Sequence, residues 1–140
     1  MIPGLIVGVL PPGVHPATLT EVRAVFATTP QRLSLYGGLL VALSDLRAIG
    51  CVRAWLDGSY VTDKQVPGDY DLCWDTTGVD WNAVDPALLD VDFPRLLQQI
   101  KYRGDVLPNY VEQNSGLPFQ EFFQQNKNTG GTKGIIELTL

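Results

Sequence analysis

Leu56-Asp57-Gly58-Ser59, then nine residues, then Asp69-Tyr70-Asp71-Leu72: this stretch decides how the chain is read. The run Cys51-Val52-Arg53-Ala54-Trp55-Leu56 before it is short and rich in β-formers, and Asp57-Gly58-Ser59 ends it. A second strand is expected over Asp69 to Trp74, where polar and apolar residues alternate. Asp69 and Asp71 are two apart on that strand, so both carboxylates leave the same face and can converge on one cation. Hard cations such as Mg²⁺ take oxygen ligands, often one or two carboxylates plus a substrate phosphate. Gly58 lets the backbone turn tightly and approach a ligand. If Ser59 opens a short helix, its N–H and hydroxyl can hold a phosphate.

Working outward, Thr18 caps a predicted helix with Glu21 as its capping-box partner, and Leu19, Val22, Val25 and Phe26 follow at helical spacing. Pro30 opens a second helix. Its apolar positions run through Leu33, Tyr36, Leu39, Leu40, Leu43 and Leu46, and Gly50 closes it. Residues 75–92 mix turns with short helical turns. Pro94 to Tyr102 reads as a helix with Leu96, Leu97 and Ile100 on one side, stopped by Gly104. Asp105-Val106-Leu107 is a third strand, Pro118 to Gln125 a helix with an apolar face of Phe119, Phe122 and Phe123, and Lys133 to Leu140 a closing strand. Residues 1–16, with Pro3, Pro11, Pro12 and Pro16, read as an extended arm. The whole, residues 1–140, is expected to be one α/β (α+β) domain: a small mixed β-sheet with helices packed on it.

The 140 residues are 45% apolar and 18% charged, a globular profile. Nine of the fifteen acids and one of the ten Lys and Arg residues fall between positions 57 and 92, so that window carries −8 and the remainder +3. All nine are Asp. The balance argues against binding duplex DNA through a basic face, though not against a nucleotide held through a metal. No apolar run is long enough to span a bilayer, so no membrane partner is expected. Two cysteines, Cys51 and Cys73, make no disulfide framework and read as buried small hydrophobes. With no basic leader before them, a cytoplasmic protein is expected.

Gly-Ser, about ten residues, then Asp-x-Asp and an apolar residue resembles the signature of the polymerase-β-type nucleotidyltransferase superfamily, and most closely its minimal single-domain members. Three segments are also similar to a poorly characterised family of small bacterial proteins described as nucleotidyltransferase-like: Leu10 to Leu19 (LPPGVHPATL), Trp55 to Lys64 (WLDGSYVTDK) and Glu121 to Gln124 (EFFQ). The resemblance implies a nucleotidyltransferase-like fold and two Mg²⁺ ions held by Asp69, Asp71 and a third acid on a later strand. Asp105, thirty-four residues beyond Asp71, is the expected third acid, with Glu137 its rival. In the implied reaction one ion activates an acceptor hydroxyl and the other holds the triphosphate. Gly58, Ser59 and Lys64 are the expected nucleotide contacts.

The activity so implied is Mg²⁺-dependent transfer of an NMP from an NTP to a protein or RNA hydroxyl, within a toxin–antitoxin or defence pair. The alternative is a non-catalytic protein on the same fold, an antitoxin or regulatory partner that acts by protein contact through the acidic window. Other residues read structurally: Asp57 as a hydrogen-bonder of its turn, His15 as part of the arm, Trp55, Trp74 and Trp81 as core or pocket wall, and Asp75 to Asp92 as solvated acidic surface.

Overall fold

In the computed structural model, which describes residues 1–140, Thr18 and Glu21 make the reciprocal capping box that starts α1 (Leu19–Phe26). Thr29 caps α2 (Pro30–Ala48), and Gly50, at φ +89°, turns the chain out of it. The strands are β1 (Gly13–Pro16), β2 (Arg53–Asp57), β3 (Tyr70–Trp74), β4 (Gly104–Pro108) and β5 (Gly134–Thr139). They form one mixed sheet in the order β1-β5-β2-β3-β4. β5 runs parallel to β1 and antiparallel to β2. β3 is antiparallel to β2 and parallel to β4. The mixed α+β architecture is the one expected. One boundary moves: the end of the supposed arm is β1, an edge strand. Its one proline, Pro16, is tolerated because an edge need not donate on both sides.

The sheet's two faces differ. Ala54, Leu56, Leu72, Trp74, Val106, Ile136 and Leu138 pack with Val22, Phe26, Leu39, Leu43 and Leu46 into the main core under α1 and α2. The opposite face carries Trp55, Cys73 and Ile135, covered only by Phe119 and Phe123 of the short α4 segment (Phe119–Phe122) and its end. That thinner cover leaves space beside the strands. Both cysteines are buried and free, and burial pushes both thiols up.

The helix α3 (Leu96–Tyr102) is where the periodicity misleads. Leu96, Leu97 and Ile100 face solvent, Ile100 at 78% exposure, while Gln98 and Tyr102 are the buried positions. The reason is the free edge of β4. The Gln98 amide donates to the Val106 carbonyl at 2.7 Å and its oxygen accepts from the Val106 N–H at 2.8 Å, so one side chain replaces a missing strand. Tyr102 reaches Asp45 of α2 at 2.8 Å, and Gly38 of α2 leaves room for the Tyr102 carbonyl, which any side chain at 38 would strike. The acids after β3 are also more than solvated surface. Asp75, Asp80 and Asp85 each accept from the backbone N–H two residues on, and Asp90 accepts from Leu97. Two of these bonds start the 3-10 turns Trp81–Ala83 and Pro86–Leu89.

Replacing Gln98 by Leu strips a buried N–H and a buried carbonyl of their partners. Q98L is expected to lower the unfolding free energy by about 1–3 kcal/mol, read from the urea midpoint. An unchanged midpoint would show that the edge does not need this clasp.

Candidate functional site

Sheet register sets the site. Asp57, at the end of β2, pairs with Asp71 on β3, and Asp71 pairs with Asp105 on β4. Paired residues on neighbouring strands present their side chains to the same face. Three adjacent strands therefore place three carboxylates in one row, on the thinly covered face. Asp69, just before β3, joins them: the Gln99 amide donates to Asp105 at 2.9 Å and to Asp69 at 3.3 Å.

Position 58 could only be glycine. Its φ is +84°, and a Cβ there would lie 2.6 Å from Asp71 Oδ2. Ser59 follows and opens a 3-10 turn of three residues, Ser59–Val61. That turn is too short to supply a helix-end field, so any anion held here relies on the Ser59 hydroxyl and on nearby lysines. The next residues are held by Arg32, which is 4% exposed. Its guanidinium donates to the carbonyls of Phe26 at 3.1 Å, Tyr60 at 2.7 Å and Thr62 at 2.9 Å, and to the Lys64 carbonyl. The Tyr60 hydroxyl donates back to the Arg32 carbonyl at 3.1 Å. One buried cation from α2 thus fixes the loop behind Gly58-Ser59.

A cleft of about 530 Å³ opens beside the row. Asp57, Asp71, Gly58 and Ser59 line one side, and Lys64, Lys127 and Lys133 also border it. A larger cavity of about 710 Å³ lies beyond the 62–66 loop, bordered by the start of α2, but the carboxylate row does not reach it. The smaller cleft is the one with chemistry in it.

Crowding shapes the ionisation of the row. Burial, then Asp57, Asp69 and Asp105, push the Asp71 carboxyl up to about 7. Burial also raises Asp57, against the pull of Lys133, and burial with Asp105 raises Asp69. Asp57 is 3% exposed. Its Oδ1 lies 3.3 Å from Lys133 Nζ yet meets no donor in hydrogen-bond geometry. The Lys133 ammonium is thus the charge that compensates this buried oxygen. The donors here are all hard oxygens, which suits a divalent cation such as Mg²⁺. As the side chains stand, no three acids converge closely enough to coordinate one ion. Gln99 and Arg95 engage Asp105, the latter at 3.5 Å, and Lys133 engages Asp57.

Among the residues expected from sequence, Gly58, Ser59, Lys64 and Asp71 border one cleft, with Asp69 and Asp105 next to Asp71 on the β4 side. Asp105, not Glu137, is the acid in register with Asp71. Glu137 pairs with Trp55, accepts from its indole N–H at 3.1 Å and lies 3.7 Å from Arg53. Asp57 is more than a turn residue, since it belongs to the row. His15 is structural, with Nε2 at 2.6 Å from the Pro11 carbonyl. Trp81 is 44% exposed, unlike the buried Trp55 and Trp74. Arg32, Arg95, Gln99, Lys127 and Lys133 were not foreseen. No local motif marks them, because each reaches the site through tertiary packing.

Comparison with protein families matches residues 6–139 to one described as a family of unknown function, DUF6932. The chain belongs to the DUF6932 family. No curated protein and no solved structure matches this DUF6932 chain. No helix in it is long and apolar enough to cross a membrane.

Two measurements test the DUF6932 site without any substrate. Gly58→Ala is expected to cost about 1–3 kcal/mol of stability, because the strained φ and the methyl both oppose the Asp71 carboxylate; no loss would mean the cradle is loose. Asp71 has a folded pKa raised above its ordinary 3.8 to about 7. Its protonated form thus favours folding below about pH 4, and that contribution is lost as pH rises through 7. Asn cannot lose a proton. In metal-free buffer, D71N is therefore expected to gain stability over the native protein by about 1–2 kcal/mol more at pH 8.5 than at pH 5, solvent screening included. An equal difference at both values would show an uncrowded Asp71.

Proposed function

We propose that this chain is an Mg²⁺-dependent nucleotidyltransferase that moves an NMP from an NTP to a hydroxyl of a protein or RNA acceptor. The observation that carries the reading is the row Asp57–Asp71–Asp105 across three strands, with Gly58-Ser59 at the end of the first. The cleft beside it, about 530 Å³, has the size of small-molecule sites. Its two chemistries are complementary to a metal–polyphosphate: carboxylates on the strands and lysines around them.

In this reading Asp69, Asp71 and Asp105 hold the divalent ions. When bound, such ions lower the pKa of an attacking hydroxyl and offset charge on a triphosphate. Gly58 keeps the backbone clear of Asp71, and the Ser59 hydroxyl and Lys64 bind phosphate oxygens. Arg32 keeps Ser59 to Lys64 in place. The acceptor hydroxyl gives up its proton to water, its oxygen forms a bond to the α-phosphorus, the bond to the β-phosphate oxygen breaks, and pyrophosphate leaves.

Incubating the protein with Mg²⁺, labelled NTPs and cell extract should transfer label to protein or RNA. D69A and D71A should reduce transfer by about a hundredfold or more while remaining folded by circular dichroism. No labelled product with any of the four NTPs, or transfer untouched by both substitutions, would overturn the reading.

A further inference from the structure

The segment before β1 carries a strained point. Ile6 and Val9 close a two-residue hairpin: the Ile6 N–H donates to the Val9 carbonyl at 2.7 Å, and the Val9 N–H to the Ile6 carbonyl at 3.2 Å. Its tip is Val7 at φ +49° and Gly8 at φ +80°. Two successive positive φ angles suit Asn-Gly or Gly-Gly. A β-branched residue in the first of these places is a costly outlier. Packing does not offset the cost, because Val7 is 98% exposed. The tip is nevertheless held in place. The Asp63 N–H donates to the Gly8 carbonyl at 3.0 Å, and a Cβ at position 8 would lie 2.6 Å from the Asp63 Oδ1. Strain kept at a fixed, exposed position points to a use outside the fold itself.

Val7 borders the 530 Å³ cleft. The four apolar residues of that cleft come from two segments only: Val7 and Val9 of the hairpin, and Phe122 and Phe123 at the end of α4. Phe123 packs on Trp55, Cys73 and Ile135, whereas Phe122 stands outside that cluster and is half-buried. Lys127 Nζ lies 5.5 Å from the centre of the Phe122 ring. Gln125 and Asn128, which also border the cleft, are exposed, and their side-chain amides engage no other group of the protein. Apolar surface beside neutral donors and acceptors suits a flat heteroaromatic ring, whose faces stack and whose edges take hydrogen bonds. The remaining, ionic lining includes Asp57, Asp63, Asp71, Lys64 and Lys133, which suits phosphates and their cation.

We infer that the hairpin tip at Val7 and the Phe122 ring form the seat of the nucleobase, so that the cleft holds a whole nucleotide and not only its phosphates. The inference rests on the nucleotidyl-transfer reading and deepens it. Val7 and Phe122 are binding residues that touch the base, and Gln125 and Asn128 meet its edge.

Calorimetric titration of the protein in Mg²⁺ with each of the four NTPs, and separately with inorganic tripolyphosphate, tests this. At least one NTP should bind the native protein about tenfold or more tighter than tripolyphosphate. V7N and F122A should each lose most of that margin while keeping the tripolyphosphate affinity. V7N relieves the turn, so its melting temperature should rise by about 2–5 °C as the margin falls. Native binding of every NTP no tighter than tripolyphosphate would overturn the inference and leave the nucleotidyltransferase reading standing. So would a margin kept by V7N or by a folded F122A. A V7N melting temperature at or below the native one would also overturn it, because the valine would then be serving the fold. If F122A fails to fold, V7N alone decides. Native protein that binds neither NTP nor tripolyphosphate would remove the nucleotidyltransferase reading, and the inference with it.

Discussion

Like charges brought together by hydrogen-bonded strands cannot move apart without breaking the sheet. That constraint governs this molecule. Register places Asp57, Asp71 and Asp105 side by side, and the strand pairing that aligns them is the same pairing that builds the core on the other face. The repulsion is therefore paid for by burial of Leu56, Leu72 and Val106 behind the acids. A site whose unfavourable electrostatics rest on a hydrophobic core can stay crowded until a cation arrives, which is how pre-organised sites bind strongly.

The parts around the row divide the task of holding it. Arg32, from beneath, uses one planar donor set to gather the carbonyls of four separate residues, something a lysine could not do with the same geometry. Gln98 holds the outer edge of β4. Gln99, its neighbour on the same short helix, bridges Asp69 and Asp105. The helix α3 thus links edge protection to the acidic site through adjacent residues, and turns its leucines outward to do so.

Local signals made much of this legible. The capping box at Thr18 and Glu21, the long α2 pattern and the Gly58 turn each depend on residues close in sequence, and each is where the pattern places it. The Asp69–Asp71 pair was legible for the same reason. What escaped depends on register or distant packing. Asp57 reads as a turn residue until β2 is known to pair with β3 at that position. Lys133 reads as a strand-opening lysine until β5 is set beside β2. The apolar spacing of Leu96, Leu97 and Ile100 suggests a buried face, but the need to satisfy an open strand edge turned Gln98 inward instead. The N-terminal prolines concealed β1 because a proline-rich edge strand and an extended arm share one backbone conformation.

The strand order carries a consequence for how the protein comes to exist. β5, last of the five along the chain, lies between β1 and β2 in space. Its pairing with β1 joins Gly13 to Gly134, so the sheet's centre waits for contacts between distant segments. Such long-range closure slows folding relative to chains with local contacts. During synthesis, β2 and the β1 edge must remain exposed until β5 leaves the ribosome. The residue just before β5 is Lys133. Asp57 is thus made long before its counter-charge, and the strand that completes the sheet brings in the Lys133 ammonium that faces it.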